Sequence, residues 1–301
     1  MFSSIDALQN AFAEQRYIAE RSLSTIIYLA QKMHKPLFLE GEAGVGKTEI
    51  AKTLATLMNA PLIRLQCYEG LDINTALYEW NYAAQLLHLR LLEASGASRE
   101  TMQSSLFTRN FLHSRPLLQA VEQSAQGMPT VLLVDEIDRA DEEFEAFLLE
   151  LLSDFQVTIP ELGTIKTDHP PIVVITSNRT REIHDALKRR CIYHWIDYPS
   201  FEKELAIVRA RAPHVPDSLA RQVTAFIGEL RRMELFKAPG VAETIDWVTA
   251  LIALDQTALS TDVIRDTAGV ILKYQDDIEA VIAHDLLSAM LDRATAIADS
   301  V

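Results

Sequence analysis

Hydrophobic positions recur at helical spacing through the first thirty-odd residues: Ile5, Leu8 and Phe12, then Leu23, Ile26, Ile27, Leu29 and Ala30. The period then changes. Residues 36–40 (PLFLE) form a short continuous apolar run that Gly41 ends. From Lys47 to Asn59 the helical spacing returns, with Ile50, Leu54, Leu57 and Met58 on one face and Pro61 as the stop. Further short apolar runs lie at Pro61–Leu65, Thr130–Val134, Pro171–Ile175 and Ile192–Ile196, each bounded by polar or turn residues. Short runs separated by helices predict a parallel sheet covered on both faces. After Pro199 the runs cease. Residues Phe201–Arg211, Asp217–Met233, Ala242–Leu254 and Gln275–Asp299 read as helices, broken by Pro213, Pro216, Pro239 and Gly240. The expectation is an α/β chain: an αβα sandwich around a central five-stranded parallel sheet over 1–198, followed by an all-α domain over 199–301.

Composition narrows the class. Of 301 residues 49% are hydrophobic and 23% charged, near the soluble globular average. No apolar run approaches the roughly 18 residues of a membrane span. The opening MFSSIDALQNAFAEQ has neither the basic n-region nor the apolar h-region of a secretory signal. Cys67 and Cys191 are too few for a disulfide framework or a four-cysteine zinc site, and the eight histidines lack metal spacing. A reducing cytoplasm is the expected compartment. The net charge of −14 carries no basic run, which disfavours nucleic acid as the main partner, although positives arranged around a pore would escape such a reading.

Three strand ends carry chemistry. Residues 41–48, Gly41, Glu42, Ala43, Gly44, Val45, Gly46, Lys47 and Thr48, match G-x-x-x-x-G-K-[ST] between a predicted strand and a predicted helix. Glycines let successive N–H groups turn toward phosphate, and the new helix adds its positive end. Lys47 supplies a point charge for the β- and γ-phosphates, and the Thr48 hydroxyl reaches Mg2+. With Glu49 and Asp135, these residues are the candidates for holding ATP. The run VLLVDE ends in Asp135 and Glu136, two carboxylates at the edge where such sheets bind ligands. Asp135 is the second metal candidate, and Glu136 the base that orients and polarises the attacking water; the alternative is a solvated acidic cap in an acid-rich stretch. The run PIVVITSN ends in Asn178, an amide that could position the same water or merely make a turn. Arg190, in LKRRC, is either part of a surface basic cluster or a charge that a ring would offer to the neighbouring subunit's phosphoryl group.

The ordered set GEAGVGKT, VLLVDE, TSN and LKRRC resembles the AAA+ ATPases across nearly the whole chain. The segment Asp72–Ala94 looks like the helix-2 insert of the MoxR branch. VTIPELGTIK, within residues 157–167, is similar to the hairpin that branch places before the Asn strand. CYEGLD, ALYEWNY, FLLELLSDF and RRCIYHWIDYP are close in wording to the CoxD-like subgroup, associated with maturation of carbon-monoxide dehydrogenase. The resemblance implies a P-loop NTPase fold with a helical lid, ATP and Mg2+ as cofactors, and a homo-oligomeric ring, a hexamer. It also implies a von Willebrand factor A domain protein as helper and a client metalloenzyme such as a molybdenum hydroxylase. A metal-chelatase motor subunit shares the clade, and a nucleic-acid motor is the more distant rival. One departure stands out: where the branch carries a lid arginine, this chain has Thr244, leaving Arg231 or Arg232 as substitutes or the role unfilled.

Overall fold

A computed structural model describes residues 2–300. Among the described residues nine strands form: β1 (Leu37–Gly41), β2 (Leu62–Gln66), β3 (Tyr78–Trp80), β4 (Leu112–Ser114), β5 (Val131–Asp135), β6 (Gln156–Ile159), β7 (Gly163–Lys166), β8 (Ile172–Ser177) and β9 (Ile192–Ile196). Five of them make the parallel sheet, in the order β2-β5-β8-β1-β9. β1 and β5 are buried at every position, so no alternation survives in their sequences. The registers Gln66↔Asp135 and Val134↔Ile175 bring the C-terminal ends of β2, β5 and β8 side by side.

The chain forms two compact units. The first comprises the residues up to Leu8, Arg21–Glu40 and Thr48–Trp195; the second comprises Gln9–Glu20, Gly41–Lys47 and the chain from Ile196 onward. The expected boundary at 198/199 lies close to Ile196, but two early segments, including the glycine-rich loop, group with the helical unit. In the first unit, Leu132, Val134, Val173 and Ile175 pack with Phe144, Leu148, Leu151 and Leu152 of helix Glu142–Asp154. Asp141 caps that helix by accepting from Phe144 N, and Phe155 closes it in the left-handed region. In the second unit, Trp247, Phe226, Val223 and Met290 anchor a separate core.

Several boundaries differ from the pattern reading. The leading helical stretch is two helices, Ile5–Glu14 and Arg21–Met33, separated at Arg16, whose φ is +58°. Helix Thr261–Ile271, capped by Ser260, was not expected. Residues 275–299 are two helices parted at Ala283, whose ψ of 120° leaves the helical region. The stretch 72–94, expected as an insert, holds helix Ile73–Leu77, β3 and helix Tyr82–Ala94. β3 pairs antiparallel with β4, and helices Tyr82–Ala94 and Arg99–Leu106 lie between these two strands in the chain. β6 and β7 form the expected antiparallel hairpin.

Candidate functional site

The glycine-rich loop is held inside the second unit. Lys47 is buried, and its Nζ donates to Gly41 O at 2.7 Å and Glu42 O at 2.6 Å, curling the loop over its own lysine. A Cβ on Gly41 would lie 2.1 Å from Ile196 O, so only glycine fits. Gly44, at φ +77°, faces Gly240: a Cβ there would meet Gly240 Cα at 3.1 Å and Glu243 Oε2 at 2.9 Å. Ala242 N donates to Gly44 O at 3.3 Å, and the Glu243 carboxylate accepts from Gly240 N at 2.9 Å. At Lys47 helix Lys47–Leu57 begins, and its first turn carries Glu49.

The acids sit together in the first unit. Asp135 is 2% exposed and both its oxygens are occupied. Oδ1 accepts from Thr48 Oγ1 at 3.0 Å and Thr176 Oγ1 at 2.6 Å; Oδ2 accepts from Arg64 Nε at 3.0 Å and Nη2 at 2.6 Å. Glu136 follows at φ +57°, a left-handed conformation unusual for a side chain of its size. Its backbone N–H is tied to Thr176 Oγ1 at 2.9 Å. Its carboxylate accepts from Gln66 Nε2 at 3.0 Å and Asn178 Nδ2 at 3.4 Å, and Arg139 Nε lies 3.5 Å away. Asn178 is positioned by buried Asp138, which accepts from Asn178 N at 3.2 Å, Thr180 N at 2.9 Å and Thr180 Oγ1 at 2.7 Å.

These donors fit a magnesium ion. A hydroxyl and a carboxylate oxygen 3.0 Å apart are hard oxygen ligands. Mg2+ is commonly bound by one or two protein oxygens plus substrate phosphates rather than by a dedicated cage. Among the described residues no group of three or more His, Cys, Asp or Glu side chains gathers as such a cage.

Arg190 ends helix Asp185–Arg190 with its side chain exposed, and Nη1 donates to Leu149 O at 3.4 Å. Cys191 is buried, its thiol pushed up to about 12 by desolvation, which suits a packing residue. In the second unit Thr244 Oγ1 donates to Glu204 Oε1 at 2.7 Å. Arg231 pairs with the same Glu204 at 2.5 Å, donates to Pro239 O at 2.8 Å and stacks on Tyr198. Arg232 pairs with Glu229 at 2.6 Å.

Residues 36–191 match the family of AAA domains of the dynein-related subfamily, more than half the chain. The chain belongs to the AAA+ ATPases. Among relatives, an uncharacterized Staphylococcus epidermidis protein is 25% identical over 253 residues, 82% of this chain and 86% of that one. A Staphylococcus haemolyticus relative is 25% identical over 229 residues, 74% of this chain and 77% of its own. A solved Cytophaga hutchinsonii protein carrying a provisional ATPase name gives a TM-score of 0.47 at 17% identity, over 96% of both chains. The Thermotoga maritima RuvB P216G mutant gives 0.48 at 15% identity, over 100% of this chain and 85% of that one.

In this AAA+ chain the sequence reading missed four residues that touch the acids or their partners: Arg64, Gln66, Thr176 and Asp138. Thr176 carried a readable signal, a polar residue beside Asn178 at the end of an apolar strand. Arg64 and Gln66 carried none, because nothing in the sequence says that β2 lies next to β5.

Proposed function

We propose that this AAA+ chain hydrolyses ATP, with the loop 41–47 holding the phosphates and the cluster around Asp135 and Glu136 managing metal and water. The observation that carries the reading is the treatment of Glu136: its carboxylate is held by Gln66 and Asn178 while its N–H is fixed by Thr176. A carboxylate so aimed can accept a proton from water, with the Asn178 amide orienting the same molecule. Lys47 and the helix that begins there offer positive charge to the phosphates. Bound through Thr48 and Asp135, Mg2+ would neutralise charge on the transferring phosphoryl group. Glu136→Gln keeps the size and hydrogen bonding but cannot take the proton. Turnover should fall about 10²-fold or more while ATP binding persists. Turnover within a fewfold of wild type would remove Glu136 from the role.

The finer reading is a MoxR-type motor, closest to the CoxD-like subgroup, acting as a homo-oligomeric ring of six in which Arg190 serves the neighbouring subunit. Its exposed position at the end of a short helix supports that role. In this reading the ring works in the cytoplasm with a von Willebrand factor A domain protein on a client metalloenzyme, such as a molybdenum hydroxylase awaiting its cofactor. A protein client is favoured by helix Tyr82–Ala94, where Tyr82, Leu86, Leu87 and Leu91 are all exposed, Tyr82 by 68%. Exposed apolar side chains along one helix suit protein contact better than phosphate contact. Co-purification of the tagged chain with such a helper and client tests it; recovery of the chain alone, with DNA-stimulated turnover, would favour a nucleic-acid motor.

A further inference from the structure

Asp135 has a second cationic suitor besides a metal. Arg64 stands on β2, the edge strand of the sheet, and half of its side chain is in solvent while the Asp135 side chain is 3% exposed. Both Nε and Nη2 of the guanidinium converge on Oδ2 of Asp135, and Nη2 also donates to Gln66 Oε1, which holds the fork in place. A guanidinium carries a fixed positive charge. The acid's other oxygen is shared between Thr48 and Thr176.

We infer that Arg64 is a resident counter-charge that competes with Mg2+ for Asp135 and so sets the metal affinity of the site. The inference rests on the ATP-site reading above. Two cations drawn to one buried carboxylate each weaken the hold of the other, and by linkage the penalty is mutual. The asymmetry of exposure decides which partner gives way. Arg64 can lift its guanidinium into water while its stem stays on the strand, whereas Asp135 has no route to solvent. A free divalent ion must displace the arginine with one carboxylate and one hydroxyl to receive it. An ion arriving on a triphosphate brings most of its ligands along. Arg64 thereby biases the site toward metal delivered with nucleotide.

The test uses the full chain and Mn2+ with ADP, free Mn2+ being read by electron paramagnetic resonance. Arg64→Met and Arg64→Gln remove the charge, one keeping the stem and one a polar tip. Both should tighten Mn2+ binding to the ADP complex about tenfold, within the usual range of coupling between ligands. Arg64→Lys keeps the charge and should stay within about threefold of wild type. In EDTA the two neutral variants should melt below wild type, because Asp135 has lost its partner, and Mn2+ with ADP should restore more of the melting temperature to them than to wild type. Unchanged or weaker Mn2+ affinity in both neutral variants overturns the inference. If wild type fails to bind ADP by calorimetry with or without metal, the nucleotide site itself falls and the inference with it. ADP binding with insensitive Mn2+ affinity overturns the Arg64 role alone.

Discussion

Replacing Thr176 by valine sets two forces against each other in one methyl-sized change. The side chain is 1% exposed, and hydrophobicity alone makes valine the better occupant, by ~1 kcal/mol for exchanging a hydroxyl for a methyl. The hydroxyl, however, does two jobs. It donates to Asp135 Oδ1 at 2.6 Å and accepts the Glu136 N–H at 2.9 Å. Losing a hydrogen bond to a charged acceptor costs ~1.5–3 kcal/mol, and an N–H left unpaired costs ~1–3 kcal/mol, toward the low end where burial is partial. The balance is a loss of about 2–4 kcal/mol. Thr176→Ser keeps both bonds and loses one methyl, about 1 kcal/mol with its small cavity. Urea unfolding followed by circular dichroism should therefore rank wild type above serine and serine above valine. For an m of ~2 kcal/mol/M, valine should lower the midpoint by about 1 M or more. A valine variant at or above wild type would show that the hydroxyl bridge contributes no stability, and that the ordering of Glu136 must come from elsewhere.

Three further outcomes are expected. Lys47→Ala removes the charge that the loop curls around and should abolish micromolar ATP binding by calorimetry; unchanged affinity would displace the phosphate site from this loop. Arg190→Ala should bind ATP yet hydrolyse it poorly, and mixing it with Lys47→Ala subunits under exchange should recover activity that neither parent has, whereas demonstrably mixed oligomers without recovery would leave Arg190 a surface residue. Alkaline conditions should weaken the fold: burial pushes the thiols of Cys67 and Cys191 up from the ordinary 9.0 to about 12, and the charges of Asp135, Asp138 and Glu136 add to the rise at Cys67. These thiols keep their protons in the folded chain after the unfolded chain has lost them. Their contribution is full below pH 9 and disappears as pH rises toward 12, so denaturation midpoints should decline across that window and Cys191→Ala should flatten the decline.

Much of the fold was legible because burial on both faces of the sheet leaves unbroken apolar runs. Ile192–Ile196 was read with its observed bounds for that reason, and the remaining runs within about two residues. Helices were harder where a cap rather than a period sets the boundary. Ser260 starts a helix whose apolar face is short, and Ala283 breaks one without a proline or glycine. Lys47, Thr48, Asp135, Glu136 and Asn178 stand out in the sequence because each lies in or beside a short motif at a strand end. The candidate site was not readable where the partner arrives from another strand. Gln66 reaches Glu136, and Arg64 reaches Asp135, only because β2 pairs with β5, and strand order is a tertiary fact that no local pattern encodes. Thr244 shows the reverse case: the sequence marked a missing arginine, and the structure puts there a buried hydroxyl bonded to Glu204, beside an Arg231 already committed to the same acid.

The interleaving of the two units bears on how the chain is made. A ribosome delivers residues 41–47 about 150 residues before Ile196, the neighbour whose carbonyl crowds Gly41, and later still come Gly240 and Ala242. At roughly 5–20 residues per second the loop waits about 7–30 s for Ile196 and about 10–40 s for Gly240 and Ala242. During that interval β2, β5 and β8 are synthesised, while the glycine-rich loop lacks the backbone of Ile196, Gly240 and Ala242 that lies against it. In a nascent chain the local bonds of Lys47 to Gly41 and Glu42 come first, and the packing of Gly41 and Gly44 against residues 196 and 240–243 waits for the helical C-terminal region. For the same reason, a fragment cut at residue 198 would carry every motif residue and still lack the Gly240–Glu243 turn that the loop leans on.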